Sequence, residues 1–176
     1  MTSIPEHIQS LEAFIERGGA RVARAPLPDS VHGRVSEDLI TLRTGLCPGQ
    51  ELAVLIHELA HWLVHGDPRP RLSCTVFEYE AEAVEALVMT RLDPQSPGIE
   101  SAALRGICPT DNLLSASVAR VRWASTRICA ALGLDAEPAA SEPQTPVDLQ
   151  TAAGEEVIFE YEHYGMGDFL GLPEAL

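Results

Sequence analysis

With 176 residues, 45% of them hydrophobic, the chain is long enough for one core-forming domain and a tail, and its formal charge is -14. All twelve basic residues are Arg, and residues 134–176 hold ten acidic side chains and no basic one. This balance argues against direct binding to nucleic acid or to an anionic membrane surface, both of which need clustered positive charge.

In chain order, Ser3-x-x-Glu6 spells a capping box, and Ile4, Ile8, Leu11 and Ile15 repeat at helical spacing until Gly18-Gly19 stops them. A short strand with Val22 inward is expected over 20–25, closed by Pro26 and Pro28. Residues 34–43 place a turn-like Ser-Glu-Asp between Val35 and Leu39-Ile40, which predicts a hairpin or a bent edge strand. An exposed edge there could take up an extended peptide, although a plain structural strand fits equally well.

Pro48 and Gly49 open an apolar helix that Gly66-Asp67-Pro68 should end, with Leu52, Leu55, Ile56, Leu59 and Leu63 on a buried face. Within it runs His57-Glu58-Leu-Ala-His61. Residues four apart share a helix face, so the two imidazoles can reach one ion, while Glu58, about 100° round the axis, points past it. Two imidazoles, a water and a carboxylate base suit hydrolysis, because the ion acidifies the water and the base takes its proton. The structural alternative is a pair of packed histidines with Glu58 in solvent. His65, two turns beyond His57, fits a cleft or supporting position better than a ligand.

A second helix is expected from Thr75 to Leu92, carrying Glu78, Glu80, Glu82 and Glu85. Glu78 is the expected third ligand, with Glu82 on the same face to orient a histidine from behind, and with Glu80 or Glu82 as alternative ligands. Mutual repulsion favours a cation or an Arg partner for at least one of these acids. Against this, Thr75-x-x-Glu78 also reads as a capping box. Tyr79 could donate to a developing oxyanion, with packing as the plainer role. Asp67 lies six residues after His61, where metzincins place a ligand, but Val64 occupies the position of their required glycine.

The segments His57-Glu-Leu-Ala-His61-Trp-Leu-Val-His65 and Glu78-Tyr-Glu-Ala81-Glu82-Ala-Val84 resemble the ImmA/IrrE family of zincin-like metallopeptidases, nearest the peptidase domain associated with ArdC-type antirestriction proteins. The resemblance runs from about Val31 to Leu132. It implies an α+β zincin-like domain in which a small twisted sheet supports the HExxH helix and the following Glu-bearing helix. It also implies Zn2+ held by His57, His61 and Glu78, with Glu58 as base, and a selective cut in a regulatory protein. Glu85 stands where the family usually has Ala and is expected not to touch the ligand set. The DNA-binding domain often found ahead of the ArdC-type domain is absent, which removes grounds for a DNA role.

Beyond a loop at 93–98 and a short helix at 99–105, Asp111 can cap a long helix with Leu114, Val118, Val121, Ser125, Ile128 and Leu132 on its apolar face, ended by Gly133. Cys47, Cys74, Cys108 and Cys129 form no C-x-x-C pair and read as small buried residues in a reducing, cytoplasmic setting. The N-terminal sequence lacks a secretion-signal pattern, and His57 and Glu58 interrupt the most apolar stretch, leaving no transmembrane span. The expected division is a peptidase domain over 1–133 and an acidic, partly flexible tail over 134–176. Glu155 to Tyr164 in that tail alternates acidic with apolar or aromatic residues like a strand and could dock on a partner or on the chain's own cleft. The expected partner is a protein or peptide substrate. A zincin-like interaction module without activity is the rival reading, and a metalloenzyme acting on a non-peptide amide is a third.

Overall fold

A computed structural model describes residues 2–65, 74–94 and 111–134, and these residues form a mixed α+β arrangement of four helices and one three-stranded sheet. In order they are α1 (Ile4–Arg17), β1 (Arg21–Ala25), β2 (Gly33–Ser36), β3 (Leu39–Arg43), α2 (Pro48–His65), α3 (Cys74–Leu92) and α4 (Asp111–Ala131). The tail, the loop containing Asp67 and the expected short helix at 99–105 lie outside the described residues.

Helix α1 begins as its sequence dictates. The Ser3 backbone N–H donates to Glu6 Oε2 at 2.6 Å and the Ser3 hydroxyl to the same oxygen at 2.9 Å, fixing the first turn. At its other end Gly19 adopts φ +93°, and the Ala20 N–H reaches back to the Ile15 carbonyl at 3.1 Å. That left-handed residue, strained for any residue with a Cβ, lets the chain reverse into β1. Ile8, Leu11 and Ile15 are buried as expected, but Ile4 is 42% exposed because the first turn overhangs the core.

The sheet has the order β1-β3-β2, with β3 parallel to β1 and antiparallel to β2. The expected hairpin is present. Ser36 pairs with Leu39 and Gly33 with Leu42, and Glu37 takes φ +50° in the two-residue turn between the strands. β3 is the middle strand, so Ile40, Thr41 and Leu42 are all buried, whereas β2 lies at an edge. Val22 of β1 is half-buried and packs on the core.

Helix α2 is the centre of the molecule. Residues 52–61 are buried on every side, and the helix touches α1, β2, β3, α3 and α4. Leu55, Ile56, Leu59 and Ala60 are fully enclosed, which is the environment an all-round apolar helix requires. Arg24 of β1 ties the start of α2 to the layer beneath, donating through Nε to Glu51 at 2.7 Å and through Nη2 to Glu12 of α1 at 2.7 Å. Helix α4 packs on α3, α2 and α1 and buries Ser117, Val121, Ala124, Ser125 and Ile128, which is not the predicted face alone. Val118 is 40% exposed, because the buried stripe passes through Ser117. Gly133 at φ +69° ends this helix, with the Leu134 N–H donating to the Cys129 carbonyl at 3.0 Å. Cys47 and Cys129 are free thiols; Cys129 is buried as expected, but Cys47 is exposed in the loop before α2. Among the described residues no helix is long and apolar enough to cross a membrane.

Candidate metal centre

The HExxH segment forms about a turn and a half of α2 at its most enclosed part. His57 and His61 project from one face, their ring centroids 4.9 Å apart and their planes at 71°. Their Nε2 atoms are 3.2 Å apart. Glu78 comes from the second turn of α3 and straddles the pair, with Oε2 3.5 Å from His57 Nε2 and Oε1 3.5 Å from His61 Nε2. Two donors bound tetrahedrally at about 2.0–2.1 Å must lie about 3.3–3.4 Å from each other, so the three groups are spaced to share one ion. His57, His61 and Glu78 could therefore hold a metal. The imidazoles are enclosed, at 8% and 7% side-chain exposure, while Glu78 is 34% exposed, so the cluster opens to solvent on the Glu78 side.

The Thr75 capping-box alternative is not what the chain adopts. Helix α3 already starts at Cys74, which puts Thr75 inside the first turn and leaves Glu78 for the histidines. Behind His57, Glu85 Oε2 lies 3.3 Å from Nδ1. With Nδ1–H donating to that carboxylate, an ion that displaced the other ring proton would meet Nε2 as the lone-pair nitrogen facing Glu78 and His61, the tautomer a metal ligand needs. This corrects two expectations. Glu82, proposed to orient a histidine, has an exposed side chain; Glu85, expected to stay clear of the ligands, is buried and in contact with one. The signal was present in the spacing, since residues seven apart on a helix fall almost on one line and 85 is seven beyond 78.

Glu80 is likewise not a ligand alternative. It is fully buried and turned towards α4, accepting from the Ser117 hydroxyl at 2.5 Å, from Arg120 Nε at 2.9 Å and from Arg120 Nη2 at 2.5 Å. The cation expected for one of the four acids is thus Arg120, and its partner is Glu80. Tyr79 is half-buried and packs against the core, in keeping with its plainer role. His65 closes α2, and its side chain lies outside the described residues.

Glu58 is 1% exposed, so the alternative of a solvated carboxylate does not hold. Its side chain runs beneath the first residue of β2 and stays outside the three-donor cluster, as a base distinct from the ligands would. The local electrostatics are dominated by acid. Burial opposes charge on His57, yet the hydrogen bonds it donates to Glu78 and Glu85 and the charges of Glu58 and Glu85 outweigh it and push its pKa up to about 10. For Glu78, burial likewise opposes ionisation but is overcome by the two histidines, which hold the carboxyl well below its usual range. Three carboxylates around two imidazoles make a site whose charge a divalent cation would offset.

No known protein family, no curated protein and no solved structure matches this chain.

Proposed function

We propose that the chain is a zinc-dependent peptidase in which His57, His61 and Glu78 hold the ion and Glu58 is the catalytic base. The observation that carries this reading is the spacing of the three donors, 3.2 and 3.5 Å apart, with Glu58 buried beside but outside them. Zinc fits the donor set better than calcium or magnesium, which prefer oxygen-only shells. When bound, the ion supplies Lewis acidity, polarising a carbonyl and acidifying a water. The chain's own residues do the rest. Glu85 fixes the His57 ring, Glu58 accepts the proton of the attacking water and passes it to the leaving amine, and Glu78 marks the open side from which a substrate enters. The outer side of β2 pairs with no strand among the described residues, and β2 begins against Glu58, so an extended peptide can be added there beside the base.

The fold is read as zincin-like and the family as ImmA/IrrE-like on the motif alone. The substrate follows from the same reading: a regulatory protein cut at a selected site, in the cytoplasm, where thiols such as Cys47 and Cys129 remain reduced. The test is to incubate zinc-loaded protein with a soluble lysate of its own source and sequence the new N-termini. Glu58→Gln should suppress their appearance by about 10²–10⁴-fold. Cleavage by that variant at the native rate contradicts the peptidase reading. A second reading, an inactive module that regulates a partner, is weakened by the same residue, because binding alone has no use for a buried carboxylate beside the ligands.

A further inference from the structure

Gly33 opens β2, is buried, and pairs with Leu42 across the hairpin. Its backbone is not in a region reserved for glycine, as its absence from the positive-φ residues makes plain, so conformational freedom does not explain the residue. Space does. A Cβ at this position would stand 2.7 Å from Val54 Cγ1, 2.8 Å from Glu58 Cγ and 2.8 Å from Glu58 Oε1, all closer than carbon tolerates. Val54 and Glu58 are one turn apart on α2, so the strand crosses that helix face where the carboxylate leaves it.

We infer that Gly33 is a positioning residue for Glu58, its bare Cα forming the seat against which the carboxylate rests. This rests on the reading of Glu58 as the base. Glu58 follows a ligand directly in sequence, and a flexible carboxylate there could swing onto the ion and cease to be a base. Enclosure by Gly33 on one side and by the core on the other leaves a side chain of 1% exposure little room to do so. Any larger residue at 33 must displace the Glu58 side chain, Val54 or the strand. The three atoms nearest such a Cβ belong to Val54 and Glu58 and to none of the three metal-facing side chains, so Glu58 and Val54 take the first displacement.

The contact is tested without reference to catalysis by a thermal double-mutant cycle on the full chain. Gly33→Ala should lower the melting temperature by about 3–8 °C, the usual cost of overpacking in a chain of this size. Adding Glu58→Ala should return more than half of that loss, because the obstructing side chain is gone. Additive losses, or recovery with Val54→Ala but none with Glu58→Ala, would mean that the glycine serves helix packing only, and would overturn the inference. The positioning role is read on zinc-loaded protein. Gly33→Ala should keep one zinc per chain and the native zinc affinity while yielding at least tenfold fewer new N-termini in the lysate assay. Native cleavage by a zinc-loaded Gly33→Ala chain would also overturn it. If instead Glu58→Gln cleaves like the native protein, the base itself is misassigned, an outcome distinct from a failure at Gly33.

Discussion

The two faces of α3 treat their glutamates in opposite ways. Towards α4, Glu80 accepts from the Arg120 guanidinium and the Ser117 hydroxyl, so a buried charge meets an opposite one. Towards α2, Glu78 and Glu85 join Glu58 around two imidazoles, with no Arg partner for Glu78 or Glu85 in the ion pairs of the described residues. On the proposed reading, the first arrangement joins two helices and the second is a place where a cation could be held.

The largest effect that would sharpen this contrast is at the joint. Glu80→Ala leaves a guanidinium of 12% exposure without its buried partner and should cost about 3–5 kcal/mol in urea unfolding. Replacing Glu80 and Arg120 together by apolar residues of similar volume should cost much less, since neither charge is then stranded. Glu78→Ala in metal-free protein should cost well under half of the Glu80→Ala value. Equal costs would erase the distinction between the faces.

Next in size is the response to metal. Zinc at a hundredfold its dissociation constant should stabilise the native chain by about 2.7 kcal/mol, a gain reversed by a chelator. His61→Ala and Glu78→Ala should abolish that gain at the same zinc concentration. A smaller change is expected behind the ligand. Glu85→Ala should weaken zinc binding by about 10–100-fold through loss of the hydrogen bond to His57, while Glu82→Ala leaves it close to native.

The contrast can also be read from a pH profile. The raised pKa of His57 means that its contribution to the stability of metal-free protein is complete below about 6.5 and is lost as pH climbs towards 10. The lowered pKa of Glu78 works in the other direction, its contribution being present above about 4.5 and lost as pH falls. The melting temperature of the metal-free chain should therefore decline from pH 6.5 to 10. Over the same interval zinc should bind more tightly with rising pH, because the ion displaces the proton His57 otherwise holds.

Much of this was legible in the residues themselves. Ser3-x-x-Glu6, Gly19 and Gly133 marked helix ends by local chemistry, and the four-residue spacing of His57 and His61 placed two imidazoles on one face without reference to anything distant. What escaped was set by partners. Helix α3 is packed against both α2 and α4, so its four glutamates cannot be sorted by periodicity until it is known which neighbour lies on which side. For that reason the sequence alone points to Glu82 where the packed helix uses Glu85, and does not separate Glu80 from the ligand candidates. Gly33 carries no signal of its own in the sequence, and only the approach of Val54 and Glu58 reveals why no side chain fits. Ile4 and Val118 lie on the apolar side of their helices but beyond the surface that would cover them.

X-ray absorption at the zinc K edge of the purified, zinc-loaded protein reads the ligand set itself. Two imidazole nitrogens with oxygen donors at about 2.0–2.1 Å, one imidazole fewer in His61→Ala, and a changed oxygen shell in Glu78→Ala are the expected result. Sulfur neighbours at about 2.3 Å, or a spectrum that neither substitution alters, would contradict a centre built from His57, His61 and Glu78.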